Sequence, residues 1–349
     1  MKVLRTAVVG LGRIGWQYHI PHIIRNEGFE LTCVCDPLED RLDEAKMKFS
    51  VKGFSDVKQM IESEELDLIV IASPTMFHAE QSILALEHGI DVFLEKPFAQ
   101  SLEESDRIIN AMKKKCCKLM VYQPHRITQE FLALKDIINK GVIGKVYMIK
   151  RACSAFIRRN DWQSLRENGG GMLNNYGAHF IDQILYLANS PAKSIFCNMR
   201  KIASLGDADD VVKIIVETNN GIIMDLDINM AVAYPLPEWI VMGTNGTVTY
   251  KIEVDGKGFF HVRYFISEEL DSLDLQVELA ANGRNYDNFD RIPWHEEKVD
   301  VSDCDEIDFY DKCYDYYALD KEPFVPISET REIMRVISEC RKDAGWDKE

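Results

Sequence analysis

Val8-Val9-Gly10-Leu11-Gly12-Arg13-Ile14-Gly15 decides how the rest of the chain is read. It closes an apolar run that starts at Leu4, broken by Arg5 and Thr6, and opens a helix-like run through Arg25. Strand, glycine turn and helix in that order form the arrangement that holds a dinucleotide. Gly10 permits the tight turn, Gly12 lets backbone approach a pyrophosphate, and Gly15 lets the helix pack close to the strand. The phosphates would sit on free N–H groups at the helix start. A second apolar run, Glu30 to Cys35, ends in Asp36, 21 residues after Gly15. An acid there accepts hydrogen bonds from both hydroxyls of an adenosine ribose and repels a 2′-phosphate. This favours NAD over NADP, with Arg41 one helical turn on as the contrary sign. The competing reading is a βαβ unit that binds nothing.

The chain has 349 residues, room for two domains with sizeable cores. Its 41 basic and 57 acidic residues give a net charge of −16, which argues against nucleic acid or an anionic membrane as partner. Nine cysteines without CxxC spacing predict free thiols in a reducing cytoplasm, and no zinc or other metal site. The N-terminus enters a strand almost at once, which predicts no signal peptide. No apolar run reaches membrane-spanning length.

After Asp36 the chain alternates helix and strand at βαβ spacing. Helices are expected at Leu38–Phe49, from Ser55/Asp56 to Glu62, at Phe77–His88 and at Leu102–Lys115. Strands are expected at Leu66–Ala72, Ile90–Leu94 and Lys118–Val121. Residues 1–122 therefore read as a doubly wound parallel sheet, the Rossmann arrangement. From 123 to 349 the rhythm changes. A helix (Thr128–Lys140) and a strand (Lys145–Ala152) precede a polar, glycine-rich segment from Arg158 to Asp182. Strand-like runs follow at 192–200, 210–218, 221–229, 238–242, 247–252 and 258–265, with hairpin turns at Asn219-Asn220-Gly221 and Thr244-Asn245-Gly246. This predicts an α+β domain on an open, largely antiparallel sheet, for binding substrate and for oligomerisation. Residues 267–303 read as an irregular acidic excursion, and Asp305–Leu319 and Ser328–Asp343 as terminal helices that pack back on the first domain. An open sheet face needs cover, so a homo-oligomer, dimer or tetramer, is expected.

Ligands of such sheets bind beyond the carboxyl ends of the strands. Those ends carry Gly10–Gly15, Asp36, Ser73-Pro74-Thr75, Glu95-Lys96-Pro97 and Tyr122-Gln123-Pro124-His125-Arg126. Lys96 is placed to stabilise charge on a substrate oxygen; the alternative is a solvated loop lysine. A cis Lys96–Pro97 bond would aim its amine. In the second half, Gly169-Gly170-Gly171 allows unusual backbone or close approach to a ligand. His179 falls near the start of an apolar helix, whose N-terminus would keep the imidazole neutral and usable as a base. Asp182 is three residues on, on the same face. The alternative is a buried histidine bonded to backbone.

Taken together, GLGRIG, Asp36-Pro37, Ser73-Pro74-Thr75 with His78, Glu95-Lys96-Pro97 and Gly177-x-His179-x-x-Asp182 resemble the glucose–fructose oxidoreductase/inositol dehydrogenase (Gfo/Idh/MocA) family. The resemblance extends through Gly243–Thr247 to the final helix after Pro326. It implies an NAD- or NADP-dependent dehydrogenase or reductase acting on sugars, polyols or their derivatives. By resemblance Lys96 contacts substrate and nicotinamide, and His179 is the general acid/base. Gly10, Gly12, Arg13, Ile14, Gly15, Asp36, Arg41, Ser73, Pro74, Thr75, His78 and Glu95 match cofactor positions, and Gln123 and Arg126 line nicotinamide and substrate. The family often has an aspartate four residues before the histidine; here Asn175 stands there and is expected to orient substrate without moving a proton. Arg126, Arg158, Arg159, Trp162 and Asn175 are substrate-side expectations. Two other outcomes stay open: an NAD-dependent glycoside hydrolase working by transient oxidation, and a catalytically silent NAD- or sugar-sensing regulator.

Overall fold

The computed structural model describes residues 2–253, 256–273, 275 and 291–346. Strand β1 (Leu4–Val9) ends at the glycine turn, and a π-helical turn over Gly15–His19 runs into α1 (Ile20–Arg25). There follow β2 (Phe29–Cys35), α2 (Glu39–Phe49), β3 (Lys52–Phe54), α3 (Val57–Ser63), β4 (Leu68–Ile71), α4 (His78–Glu87), β5 (Asp91–Leu94), α5 (Leu102–Lys115) and β6 (Leu119–Val121). These strands form one parallel sheet in the order β3-β2-β1-β4-β5-β6. Order reverses between β1 and β4, so the crevice opens at their carboxyl ends, beside Gly10 and Ser73. Strands β1, β4, β5 and β6 are buried on both faces, which is why they read as nearly unbroken apolar runs.

The rest of the chain supplies α6 (Gln129–Asn139), β7 (Val146–Ser154), α7 (Ala178–Ala188), β8 (Ala192–Arg200), β9 (Val211–Thr218), β10 (Ile223–Asn229), β11 (Trp239–Gly243), β12 (Gly246–Ile252), β13 (Gly258–Tyr264), β14 (His295–Asp300), α8 (Phe309–Tyr317) and α9 (Ile327–Asp343). The second sheet runs β14-β13-β12-β11-β7-β10-β9-β8 and is antiparallel except for β7 with β10. Ile214, Val216, Leu226 and Val241 point from it into the core beneath the helices. The opposite face is partly open and carries an ion-pair ladder, Lys150–Asp225 at 3.4 Å and Lys213–Asp227 at 3.3 Å.

Two strands depart from the sequence reading. Strand β3 is three residues long, too short to show a period. Strand β14, His-Glu-Glu-Lys-Val-Asp, lies within the supposed irregular stretch 267–303; as the charged edge of the sheet it has no apolar face to betray it. Residues 274 and 276–290 of that stretch lie outside the described residues. Helix α8 begins at Phe309, four residues later than expected, with the Asp308 carboxylate accepting from Tyr310 N–H as its cap. It packs Phe309, Tyr310, Cys313 and Tyr317 against Val8, Phe93 and Met120 of the first sheet. All nine cysteines are free thiols, and among the described residues no helix is long and apolar enough to cross a membrane.

Candidate active site

The glycine turn is forced by close packing. Gly10 has φ +92°, and a Cβ there would lie 2.6 Å from Ser73 N; a side chain at Gly15 would run into the Gly10 carbonyl oxygen. Gly12 differs, because a Cβ on it would meet nothing within 4 Å. It faces a cleft of about 1420 Å³ lined from both halves of the chain. That exceeds the ~300–1,000 Å³ of ordinary small-molecule pockets, so a dinucleotide and a substrate fit together. The open backbone at Gly12 and the adjacent Arg13 suit a diphosphate.

Asp36 is buried at the end of β2. Its Oδ2 accepts from Leu11 N–H (2.7 Å) and Arg41 Nη1 (3.1 Å), and Oδ1 accepts from Leu38 N–H (3.0 Å). Each carboxylate oxygen has about two acceptor directions. The half-exposed Arg41 takes one of them at Oδ2. Beyond β4, Ser73 Oγ donates to Gln81 (2.6 Å), while Pro74 and Thr75 line the cleft. His78 does not line it. Its ring nitrogens lie 2.9 Å from the carbonyls of Pro97 and Ser73, so it braces two cofactor-side loops from behind. Glu95 lines the cleft with one oxygen bonded to His19 Nε2 (3.0 Å) and the other to Lys96 N–H (3.1 Å).

The Lys96–Pro97 bond is cis. The Lys96 amine donates to the backbone oxygen and to Oδ1 of Asn175, both at 3.2 Å. Burial lowers its pKa, with Arg13 and Arg159 adding to the effect and Glu95 opposing it. Asn175 belongs to a π-helical turn, Leu173–Gly177, that continues directly into α7. His179 therefore sits in the second turn of a continuous helix, not at its open start as expected. Its proton affinity is pushed well down by burial first, then by Lys96 and His125. The helix dipole is not needed to keep it neutral.

Three residues at the end of β6 cradle α7. Gln123 Oε1 lies 3.3 Å from His179 Nδ1, and His125 stacks on the His179 ring at 4.0 Å between centroids and 7° between planes. The His125 carbonyl accepts from Gln183 Nε2 (3.0 Å), and Arg126 grips Asp182 through Nε (2.8 Å) and Nη2. Arg126 is buried, bonds Glu329 as well (2.7 Å), and does not line the cleft. Arg126 and Asp182 are thus a buried ion pair joining the turn after β6 to α7, and neither lines the cleft. Glycines 169–171 line the cleft, and two of them also pack tightly against the chain itself. A Cβ on Gly171 would strike the Asp209 carboxylate, which caps Leu173 N–H (2.8 Å), and one on Gly170 would strike the Gln163 carbonyl. Burial pushes the Asp209 carboxyl up to about 6. Arg341 of α9 steadies the same turn through Asn174 Oδ1 (2.6 Å).

Ile157, Arg158, Arg159 and Trp162 form the far wall, with Trp162 46% exposed. The structure thus gathers Gly10, Gly12, Arg13, Ile14, Asp36, Arg41, Ser73, Pro74, Thr75, Glu95, Lys96, Trp162, Asn175 and His179 on one cleft. Gly15 and Gln123 support it from behind. Sequence reasoning gave no role to His19, His125, Asp209 or Arg341; His125 stood inside a quoted strand end, but nothing in one sequence marks a stacking partner.

Residues 4–123 match the family model described as "Oxidoreductase family, NAD-binding Rossmann fold", and residues 131–249 match "GFO/IDH/MocA C-terminal domain". The chain belongs to the Gfo/Idh/MocA oxidoreductase family. It is 27% identical over 286 residues to myo-inositol 2-dehydrogenase of Thermotoga maritima, covering 77% of this chain and 84% of the relative. It is 25% identical to 2,7-anhydro-N-acetylneuraminate hydratase of Mediterraneibacter gnavus, over 71% and 67% of the two chains. An NAD-binding protein of Listeria innocua superposes with a TM-score of 0.80 at 26% identity, covering 99% of this chain and 96% of its own.

Proposed function

We propose that this oxidoreductase moves hydride between NAD and a hydroxyl-bearing carbon of a sugar, inositol-like polyol or derivative. The observation carrying this reading is that Lys96 and His179, one from each half of the chain, line a single cleft with the glycine turn. Bound NAD supplies the acceptor for the C–H electron pair. The protein's own groups manage the proton. The Gln123 oxygen favours a proton on His179 Nδ1, which leaves Nε2 bare to take the substrate hydroxyl proton. Lys96 donates to the same oxygen as charge grows on it, and the oxygen's lone pair closes the new carbonyl. Asn175 holds the amine in place through neutral acceptors. Trp162 offers a ring face to a sugar. NAD is preferred because Asp36 meets the ribose diol and opposes a 2′-phosphate; Kd values for NAD and NADP measured side by side test that choice.

A screen of sugars, inositols and sugar acids, followed by NADH absorbance, tests the reading. Turnover that survives both Lys96→Ala and His179→Ala would sink it. The similarity to a hydratase favours a second reading, cleavage of a glycosidic bond by transient oxidation. Free sugar released without accumulating NADH would mark it. Tight NAD binding with no turnover across the screen would instead point to a sensor. The open face of the second sheet suits a homo-oligomer, which sedimentation would measure.

A further inference from the structure

A buried row of hydrogen bonds leads from the last part of the chain to the residue before Lys96. The Tyr310 hydroxyl of α8 lies 2.8 Å from His19 Nδ1, and His19 Nε2 lies 3.0 Å from Glu95 Oε1. Glu95 Oε2 accepts from Lys96 N–H (3.1 Å). Tyr310 and His19 are fully buried, and of the three only Glu95 lines the cleft. His19 closes the π-helical turn that begins at Gly15, and its ring meets Phe93 and Tyr122 edge-on. Burial pushes the Tyr310 hydroxyl well above its ordinary range, so it keeps its proton. Among the described residues that hydroxyl has one hydrogen-bond partner, His19, so it donates to Nδ1. Nδ1 is then bare, and Nε2–H donates to the carboxylate. Packing alone explains none of this, because an aromatic cluster needs no polar atoms and each one buried must be satisfied. The row has one outlet, a carboxylate on the cleft.

That carboxylate stands beside an amine that needs it. Burial disfavours the charged form of Lys96, Glu95 favours it, and Arg13 and Arg159 disfavour it further. The groups that Lys96 bonds directly, the backbone oxygen and Oδ1 of Asn175, carry no charge. His125 and His179 face it as well, and burial keeps both rings unprotonated at neutral pH. Around Glu95 stand His19, His78, Tyr18, Tyr122 and Tyr310. Burial holds the protons on the three tyrosines and lowers the proton affinity of His78, so none of those four brings a charge. We propose that His19 and Tyr310 are positioning residues of this site, through which α8 fixes the Glu95 carboxylate as the counter-charge of the Lys96 amine. Without the His19 donor the carboxylate is left buried with a single N–H, and it turns away or takes up a proton. Lys96 then loses its anion and sheds its proton at lower pH. The inference rests on the reading in which that ammonium serves the reacting oxygen, and it brings two residues outside the cleft into the reaction.

Two measurements read the Lys96 amine. Competitive acetylation by acetic anhydride, followed at the Lys96 peptide by mass spectrometry across pH, titrates it without turnover. The alkaline limb of kcat/KM reports the same group at work. In Glu95→Gln both are expected to move down by about one pH unit, the lower end of what one neighbouring charge does. His19→Leu is expected to move them the same way, Tyr310→Phe by less, and His19→Gln, whose amide N–H can take the place of Nε2–H, least. In the Glu95→Gln background none of the three should move them further, because each acts through that carboxylate. Circular dichroism checks each fold, and Tyr310→Phe, which deletes one oxygen, decides the matter if His19→Leu does not fold. An unchanged amine titration in Glu95→Gln, or in both His19→Leu and Tyr310→Phe, would overturn the proposal. So would a His19 effect that adds in full to that of Glu95→Gln, the mark of a merely structural role. Shifted amine titrations in a protein that turns over no sugar or polyol would sustain the proposal and count against the oxidoreductase reading.

Discussion

On the Gly10–Gly15 wall of the cleft, what a ligand would meet is largely backbone, shaped within one turn of chain and packed on the neighbouring strand end at Ser73. On the Ile157–His179 wall it is largely side chains, and several elements of that wall are held by partners far away in sequence. Gln123 and His125 hold His179, Asp209 caps Leu173, and Arg341 holds Asn174. A site made from backbone is written locally, so a short motif announces it. A site made from side chains needs the whole fold before its members meet, and the motif records only some of them. The two walls should therefore fail differently when they are cut.

The largest effects belong to the groups on which the two walls converge. His179→Ala and Lys96→Ala should each lower kcat about 10²–10⁴-fold, the range for a positioned acid/base or charge-stabilising group. NAD affinity should change little, since the glycine turn and Asp36 stay intact. Because burial, Lys96 and His125 depress the His179 proton affinity, its imidazole is unprotonated throughout the neutral range. The acid limb of kcat/KM should then lie well below pH 6.5; a limb at 6.5 in the wild type would rule out His179 as the base in this environment.

Next come the cuts that separate the walls. Asp182→Asn leaves the buried Arg126 with Glu329 as its one carboxylate. Breaking one partner of a buried pair costs roughly 3 kcal/mol or more, to be read as a fall in the urea midpoint with NAD affinity largely kept. Gly10→Ala forces a side chain onto φ +92° and against Ser73 N, so it should cost on the order of 2 kcal/mol in stability and weaken NAD as well. Gly12→Ala has open space for its methyl on the cleft side. It should melt as the wild type does but bind NAD about tenfold or more weakly, because the methyl occupies the diphosphate's approach. If Gly12→Ala and Gly10→Ala lost stability equally, the distinction between a folding glycine and a ligand glycine in one turn would be wrong.

How much was legible in the sequence follows the same division. The parallel sheet could be read because its central strands are buried on both faces and α3 carries its cap at Asp56. Of the cofactor positions, all but His78, Gly15 and Gln123 line the cleft, most of them at or just after a strand end. The edge strand β14 escaped because charge, which protects a sheet edge, also hides its period. Arg126 was expected beside substrate because it follows a strand end and matches the family's lining segment, and Asp182 drew notice because it shares a helix face with His179. Only the fold reveals that they neutralise each other, 56 residues apart. The glycine run at 169–171 was expected to allow unusual backbone or close approach to a ligand; it lines the cleft, and at Gly170 and Gly171 the Gln163 carbonyl and the Asp209 carboxylate also pack close.

The smallest effect tests the stacked pair, and its sign can be worked out. Burial, with Arg151 and Lys96, lowers His125 from 6.5 to about 4. Between those values the unfolded chain binds more protons at this residue than the folded one does, so His125 makes the protein less stable as pH falls from about 6.5 toward 4. Asp209 acts oppositely. Its carboxyl rises from 3.8 to about 6, so over that interval the folded state holds the extra proton and acidification favours folding. The wild-type curve is a sum in which the two partly cancel, and a difference curve isolates one. His125→Phe keeps a ring against His179 and removes the titration. Its unfolding free energy relative to wild type should rise on acidification from pH 6.5 to 4 and stay flat above 7. The kcat of His125→Phe should remain closer to wild type than that of His125→Ala, which withdraws the ring holding the base. Parallel pH curves for wild type and His125→Phe would mean that His125 titrates normally, and the neutral stacked pair would have to be abandoned.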